Sequence, residues 1–433
     1  MAHRRRVVIT GMGWVTPLGS DLQQVWSAIL EARSGVGPIS TFDASAFPTT
    51  FAAQVKDFDF AQRMGPDHPA HANAARQVQF ALAAARDAWH MAGLPTPYGP
   101  DPARAGVYLG SGEGPVDFDG FVNLAMQAWS FENRTLDYRA WATHAREHLH
   151  PAREFEQDPN LAAARLARLF GLAGPNLNTL TACAASNQAI GEATMQIRRG
   201  DADLILAGGC HSMIHPFGVT GFNRLTALSR RNDTPQTASR PFDLTRDGFV
   251  LGEGAGMVVL EDLDHARARN APIHAEIAGF GTTADAYRIT DIHESARGGS
   301  EAMRQALADA GLQPAQIDYI NAHGTGTQEN DRLESLAIRN VFGEHARRIP
   351  VSSIKSMLGH LIAAAGAVEA IACVLAIREG VLPPTGNYAT PDPACDLDYI
   401  PNAPRRAEVH RVLTNNFGFG GQNDTLILQR FID

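Results

Sequence analysis

The chain has 433 residues, 44% of them apolar, 19% charged and 7% aromatic, with a formal net charge of −9. At roughly 150 residues per domain this implies two or three units, or one large duplicated body, and the acidic balance argues against a general nucleic-acid binder. Its 40 glycines exceed an average usage of about 7% without a G-X-Y period, which excludes collagen and disorder and points to many tight turns.

Four cysteines (Cys183, Cys210, Cys373, Cys395) are widely spaced and form no CxxC pair. A chain this long needs no disulfide for its core, so a reducing, cytoplasmic setting is expected. The basic start (Met1 to Arg6) runs into VVITGMGWVTPLGS, whose Gly, Thr and Pro make a poor signal-peptide core. Leu361 to Ile377 is the most membrane-like stretch, but it contains Glu369 and falls short of the roughly 18–20 residues a span requires. It reads as a buried helix.

RRVVITGMG reads as a strand ending in a Gly turn, Asp21 to Ala32 as a helix capped by Ser20 or Asp21, and Ala74 to Ala92 as a second helix stopped by Gly93. A strand over 106–112 follows. Such alternation predicts a sheet covered on its faces by helices. LNTLTACAASNQAIGEATMQIRRGDADLILAGG then gives a strand over 177–181, a Cys-headed helix, the cap Gly200 and a strand over 203–207. IPVSSIKSMLGHLIAAAGAVEAIACVLAIREGVLPPT repeats the design, with a strand over 349–353, a long helix and Gly380 at the equivalent cap. The strand over 106–112 likewise has a counterpart in DYINAHGTG at 318–326.

These matches predict a duplicated fold. The offsets differ, being 212 residues from Val107 to Tyr319 and 180 from Gly200 to Gly380. The first half must therefore hold an insertion of about 30 residues, placed within 114–160, where Trp129 and Trp141 sit in amphipathic helical spacing. It is either a helical surface excursion or a cap over a substrate channel or subunit interface. Division at 1–270 and 271–433 is expected, with no linker between the halves.

Cys183 is the strongest chemical feature. Between a strand and a helix, its sulfur would meet unpaired N–H groups and the helix dipole, which favour a nucleophilic thiolate and leave amides for an oxyanion. A small buried cysteine is the plain alternative. His323 in NAHGTGT and His360 in SSIKSMLGH, with Lys355 five residues earlier, lie at equivalent sheet ends. Each alone reads as a structural histidine. Together with a cysteine of the other half they suit acyl transfer coupled to stabilising an enolate or oxyanion, whereas their spacing is not that of a compact zinc site. NNFGFGGQND (415–424) reads as a mobile loop in which Phe417 and Phe419 close over an apolar ligand. His211 and His215 stand four apart, but Pro216 spoils a helical metal pair. Arg224, Arg230 and Arg231 read as solvated surface, with docking of an acidic partner as the alternative.

TACAAS, NAHGTGT, KSMLGH and NNFGFGGQN, in that order, resemble the type II β-ketoacyl-acyl-carrier-protein synthases of the thiolase superfamily. DADLILAGG, SRPFDLTRDGFVLGEGAG and TADAYRIT match that family's connecting segments, so the resemblance covers nearly all the chain except 114–160. It implies a five-layered α-β-α-β-α fold from two similar halves, a homodimer, and an acyl carrier protein as partner, with no cofactor, metal, nucleic acid or membrane span. Cys183 would take the acyl chain as a thioester, and His323 and His360 would stabilise the enolate formed as malonyl-carrier protein loses CO₂. Lys355 would organise the site, paired with Glu369. The amides of Cys183 and Phe419 would form the oxyanion hole, with Phe419 gating the pocket beside Phe417, and Thr325 and Thr327 would belong to the substrate pocket.

The sequence departs from the family pattern at Glu113 where an apolar residue is usual, Gln422 in GGQN, and Ala185 in TACAAS. A carboxylate beside a saturated chain is costly unless paired, so these departures imply a pocket for shorter, polar or unsaturated chains. The rival classes are a non-catalytic partner subunit of the chain-length-factor type, which usually lacks the nucleophile, and a degradative thiolase, which would want a second catalytic cysteine where Cys373 and Cys395 do not fit. A type III synthase would show Cys-His-Asn.

Overall fold

The computed structural model describes residues 4–112 and 117–433. Ten strands build the main sheet: β1 (Val7–Val15), β2 (Ala105–Ser111), β3 (Asn176–Thr179), β4 (Leu204–His211), β5 (Gly254–Asp262), β6 (Ala275–Ala284), β7 (Tyr319–Asn321), β8 (Val351–Ser352), β9 (Arg411–Gly418) and β10 (Gln422–Gln429). The principal helices are α1 (Leu22–Leu30), α2 (Arg76–Met91), α3 (Phe118–Gln127), α4 (Tyr138–His148), α5 (Leu161–Phe170), α6 (Ala185–Arg199), α7 (Pro216–Arg224), α8 (Arg297–Ala310), α9 (Gln328–Phe342), α10 (Lys355–Leu358) and α11 (Ala365–Glu379).

The strand order is β8-β7-β9-β10-β6-β1-β5-β4-β2-β3. Split at the β6/β1 junction, it is one five-strand order used twice, β1 to β5 matching β6 to β10. The senses agree: β2 runs parallel to β3 and β4, as β7 does to β8 and β9, while the remaining pairs are antiparallel. Even the irregularities repeat, with register shifts at Ile9/Gly11 in β1 and Ile277/Gly279 in β6. Bulges bend a strand and sharpen its twist, and these two flank the stretch where Val7–Ile9 pair with Ala275–Ile277 and join the halves.

α6 and α11 pack between the two half-sheets, α2 and α5 cover the outer face of one, and α8 with α9 covers the other. This is the expected five-layer, thiolase-like arrangement. α11 shows why its sequence reads as apolar all round: every residue from Ala365 to Ile377 is buried, and each fully buried Val, Leu or Ile contributes about 1.5–3 kcal/mol. No helix among the described residues is long and apolar enough to cross a membrane. Ser186 Oγ accepts the Ala367 N–H at 2.9 Å and ties the two central helices together.

Most sequence-predicted elements are present, with shifted edges. α1 starts after Asp21, whose side chain accepts the Gln24 N–H. The strand expected over 203–207 extends to His211. The insertion is a helical excursion: α3 and α4 flank a short hairpin, and Phe118 and Phe121 set their rings edge-on to Phe217 of α7, at 4.7 and 5.8 Å. It leaves Phe131, Tyr138 and Phe155 exposed.

Candidate active site

Each half carries the same sharp turn into its central helix. Ala182–Ala184 form a 3-10 turn leading into α6, and Ile362–Ala364 form one leading into α11. The first residue of each turn, Ala182 and Ile362, has a left-handed backbone, with φ of 48° and 49°. Such values are uncommon for non-glycine residues and exceptional for a β-branched one. The turn lifts Cys183 to the sheet end in the first half; its counterpart in the second is Ala363, and the place of Leu180 is taken by His360.

The two half-sheets bring together what the sequence separates. Ligand atoms of Cys183, His323 and His360 all lie within 4.8 Å of one another, and all three residues are buried. The imidazole rings meet edge to face, centroids 5.3 Å apart. Sequence spacing alone argued against a metal-like cluster; the fold assembles one geometrically, because the spacing rule applies to local sites.

Burial dominates the electrostatics. It pushes the Cys183 thiol up to about 11, against the pull of Lys355 and of the Phe419 and Cys183 N–H groups. This corrects the expectation of a resting thiolate: the amides do face the sulfur, but desolvation outweighs them. Burial, with Lys355 next, holds His323 and His360 well below the usual histidine range, so both rings are neutral and each has one N–H to give. The Ile362 N–H donates to His360 Nδ1 at 3.2 Å, which leaves the proton on Nε2. That Nε2 is buried with no partner among the described residues. Asn416 Nδ2 approaches His323 Nδ1 at 3.5 Å.

Lys355 is 2% exposed and pairs with Glu369, whose other oxygen accepts from Asn416 Nδ2 at 2.7 Å. Burial pushes the Glu369 carboxyl up while these two partners pull it down. Lys355 does not line the cavity at Cys183; it stands behind the histidines and acts on them through its charge. Glu334 was not singled out from sequence. Its carboxylate accepts the His323 and Gly324 N–H groups, both at 2.8 Å, fixing the loop that carries the imidazole. Gly324 has φ of 37°, and a Cβ there would lie 2.6 Å from that of Ser353. The buried Arg246, which bonds the Thr327 and Gln328 carbonyls at 3.0 Å and ion-pairs with Asp392, was missed as well. Arg246 lies in a loop, where no periodic signal marks it.

Cys183 stands between two cavities. The outer one, about 310 Å³, is lined by His323, His360, Phe417, Phe419, Thr325 and Thr327, among others. Thr325 and Thr327 set their hydroxyls 3.0 Å apart. The inner one, about 350 Å³, takes in Leu180, His211, Met213, Phe222, Phe419 and Gln422. Phe419 borders both, which suits a gate. Phe417 differs from the sequence expectation: it is held in β9 opposite Asn423, 6% exposed, and forms a fixed wall. The glycine-rich segment is accordingly a hairpin, with only Phe419–Gly421 outside its strands. Glu113 lies outside the described residues.

The Beta-ketoacyl synthase N-terminal domain family matches residues 4–266 and the Beta-ketoacyl synthase C-terminal domain family residues 274–389. Over 431 residues, spanning 100% of both chains, the sequence is 45% identical to a 3-oxoacyl-[acyl-carrier-protein] synthase 2 of Coxiella burnetii. Among solved structures, a beta-ketoacyl synthase from Burkholderia phymatum is similar with a TM-score of 0.88 at 35% identity, covering 99% of this chain and 100% of that one. A ketosynthase solved as a type II polyketide-synthase complex with its acyl-carrier protein is similar with a TM-score of 0.87 at 34% identity, again covering 99% and 100%. Matched in both halves and along its full length, the chain belongs to the β-ketoacyl synthase family.

Proposed function

We propose that Cys183, His323 and His360 carry the chemistry of this β-ketoacyl synthase, an acyltransferase that extends acyl chains in fatty-acid or polyketide synthesis. The convergence of one thiol and two neutral imidazoles at a junction of two cavities is the observation that carries the reading.

In the first step the Cys183 sulfur attacks the thioester of an acyl-carrier protein. The carrier's thiol leaves with the proton, and the oxyanion is held by the amides of Cys183 and Phe419. The acyl chain occupies the inner cavity. Malonyl-carrier protein then enters by the outer cavity, with Thr325 and Thr327 lining its path. Its carboxylate leaves as CO₂, and the bonding pair passes to an enolate whose oxygen receives the N–H groups of His323 and His360. The enolate carbon attacks the Cys183 thioester, the C–S bond breaks, and the thiolate takes up a proton. Burial keeps both rings neutral, and their N–H groups bond more strongly as charge develops on the enolate oxygen.

The partner reading follows from the same site. Arg224 and Arg230 line a depression that shares Thr226 with the mouth of the outer cavity, and a cationic rim suits an acidic carrier protein. Pairing with a second copy is supported by β3, the outer strand of the sheet, which exposes Leu177 and is followed by the exposed Leu180. We take 1–270 and 271–433 as the two halves. A cytoplasmic setting suits four unpaired cysteines.

The test is mass spectrometry after incubation with acyl-carrier protein. An acyl adduct on Cys183, absent in Cys183→Ala, is expected, as is collapse of malonyl-carrier decarboxylation in His323→Ala. Lack of any adduct from any donor would overturn the reading in favour of a non-catalytic partner subunit.

A further inference from the structure

His211 ends β4 in the interior, 1% exposed, with neither ring nitrogen partnered among the described residues. Its ring lies on the backbone of Gly112, where a Cβ would fall 2.6 Å from both Nδ1 and Cε1. The residue lines the inner cavity together with Cys183. Gln422 lines the same cavity, and its enclosed Oε1 has no partner among the described residues either. The other walls are mostly apolar, from Leu180, Met213, Phe222 and Ile362.

Buried polar groups in native proteins are nearly always hydrogen-bonded, and an exception at a cavity calls for something that fills it with polar atoms. A structural histidine would bond a neighbouring carbonyl or carboxylate, and among the described residues His211 has neither. A redox or nucleophilic role for the adjacent Cys210 has no support, since burial pushes that thiol up to about 12 and it does not line the cavity. Burial lowers His211 to about 3, so the ring is neutral and offers one N–H and one bare nitrogen. That pair matches a carbonyl or hydroxyl oxygen and gives no charge to hold a carboxylate.

Resting on the reading of Cys183 as the acyl acceptor, we propose that the inner cavity selects acyl chains bearing a keto or hydroxyl oxygen beyond the thioester, with His211 as the group that holds it, over saturated chains of equal length. An apolar pocket discriminates weakly between chains that differ by one polar group, whereas a pocket with buried hydrogen-bonding groups rejects the chain that leaves them unpaired.

The experiment follows acylation of Cys183 in the full-length protein by intact mass, using carrier protein loaded with octanoyl or with octanoyl bearing an oxo group at carbon 3, 5 or 7. In the native protein at least one oxo chain is expected to react about tenfold or more faster than octanoyl. His211→Leu is expected to lower that ratio by about tenfold, while His211→Asn, which keeps a donor and an acceptor, holds it within about threefold of native. Octanoyl reacting as fast as every oxo chain in the native protein overturns the proposal. So does a ratio unchanged in His211→Leu, the result expected if the ring only binds a resident water. The native comparison needs no variant and decides the matter even if His211→Leu fails to fold. Absence of an adduct from every donor, octanoyl included, overturns the acyl-acceptor reading and this proposal with it.

Discussion

The Glu334 carboxylate spans the backbone of His323, one oxygen on the His323 N–H and the other on that of Gly324, each at 2.8 Å. Asn415 Nδ2 adds a third donor at 3.3 Å. Burial pushes the Glu334 carboxyl up to about 7 against these donors. Removing one buried acceptor costs about 1–3 kcal/mol, and here the cost falls on the placement of one imidazole. Glu334→Gln should slow malonyl-carrier decarboxylation roughly ten- to hundredfold and change Cys183 acylation far less. Equal losses in both half-reactions would refute the assignment.

Gly418 stands where the hairpin crosses the cysteine turn. A Cβ at this position would meet the Thr181 carbonyl oxygen at 2.8 Å and the Cys183 nitrogen at 3.3 Å. Gly418→Ala must therefore displace the Cys183 and Phe419 amides that face the sulfur. Loss of one oxyanion donor costs about 10²- to 10³-fold in rate, so acylation of Cys183 should drop by about 10²-fold with the circular dichroism spectrum retained. Full activity would place the oxyanion donors elsewhere.

Lys355 and Glu369 are each 2% exposed and paired. Removing one member of such a pair costs about 3–5 kcal/mol, whereas replacing both with apolar residues is often neutral. Glu369→Ala should accordingly lower the unfolding midpoint more than the Lys355→Met/Glu369→Leu double variant does. Decarboxylation should remain impaired in the double variant, because the cation behind the histidines is gone. Recovery of both stability and turnover would reduce the pair to a packing element.

The Cys183 thiol, pushed up to about 11 chiefly by burial, is protonated through the neutral range. Below that value the thiolate fraction of an acid grows about tenfold per pH unit. Alkylation of the free protein by iodoacetamide should thus keep rising beyond pH 9, and Lys355→Ala, which removes the strongest opposing pull, should slow it at every pH. A plateau below pH 8 would contradict the resting thiol.

The proximity of Cys183, His323 and His360 also predicts inhibition by zinc. The Ile362 N–H on His360 Nδ1 keeps the proton on Nε2, so zinc must displace that proton and the one on the Cys183 thiol to gain all three ligands, and the block should strengthen as pH rises. Micromolar Zn²⁺ should block acylation, and protein already acylated on Cys183 should bind it more weakly by calorimetry. Equal binding before and after acylation would exclude this set.

The sequence carried the strand-turn-helix around Cys183, because a β-branched strand, a polar turn and a Gly cap are all local signals. The same holds for the duplication, read from Gly200 and Gly380, which both cap helices in the left-handed conformation. What local signals could not carry was desolvation: the dipole argument for Cys183 is sound in direction, but the size of the opposing term depends on walls contributed by His323, Phe249 and Phe417 from distant segments. Glu334 escaped notice for a similar reason. On its helix it reads as an ordinary charged position, and only the tertiary fold turns it inward. Phe417 and Phe419 look equivalent in FGFG, yet the strand register buries one and leaves the other at the turn.

The repeated turn before the central helices has been put to two uses. In the first half the left-handed residue, Ala182, precedes Cys183, the proposed nucleophile. In the second, Ile362 accepts the same awkward backbone with no nucleophile after it, and its N–H is spent on His360 Nδ1. The strained elbow thereby dictates which nitrogen of the imidazole keeps its proton. One repeated shape thus presents the Cys183 sulfur from one side and an oriented imidazole hydrogen from the other, so that the proposed centre needs both halves.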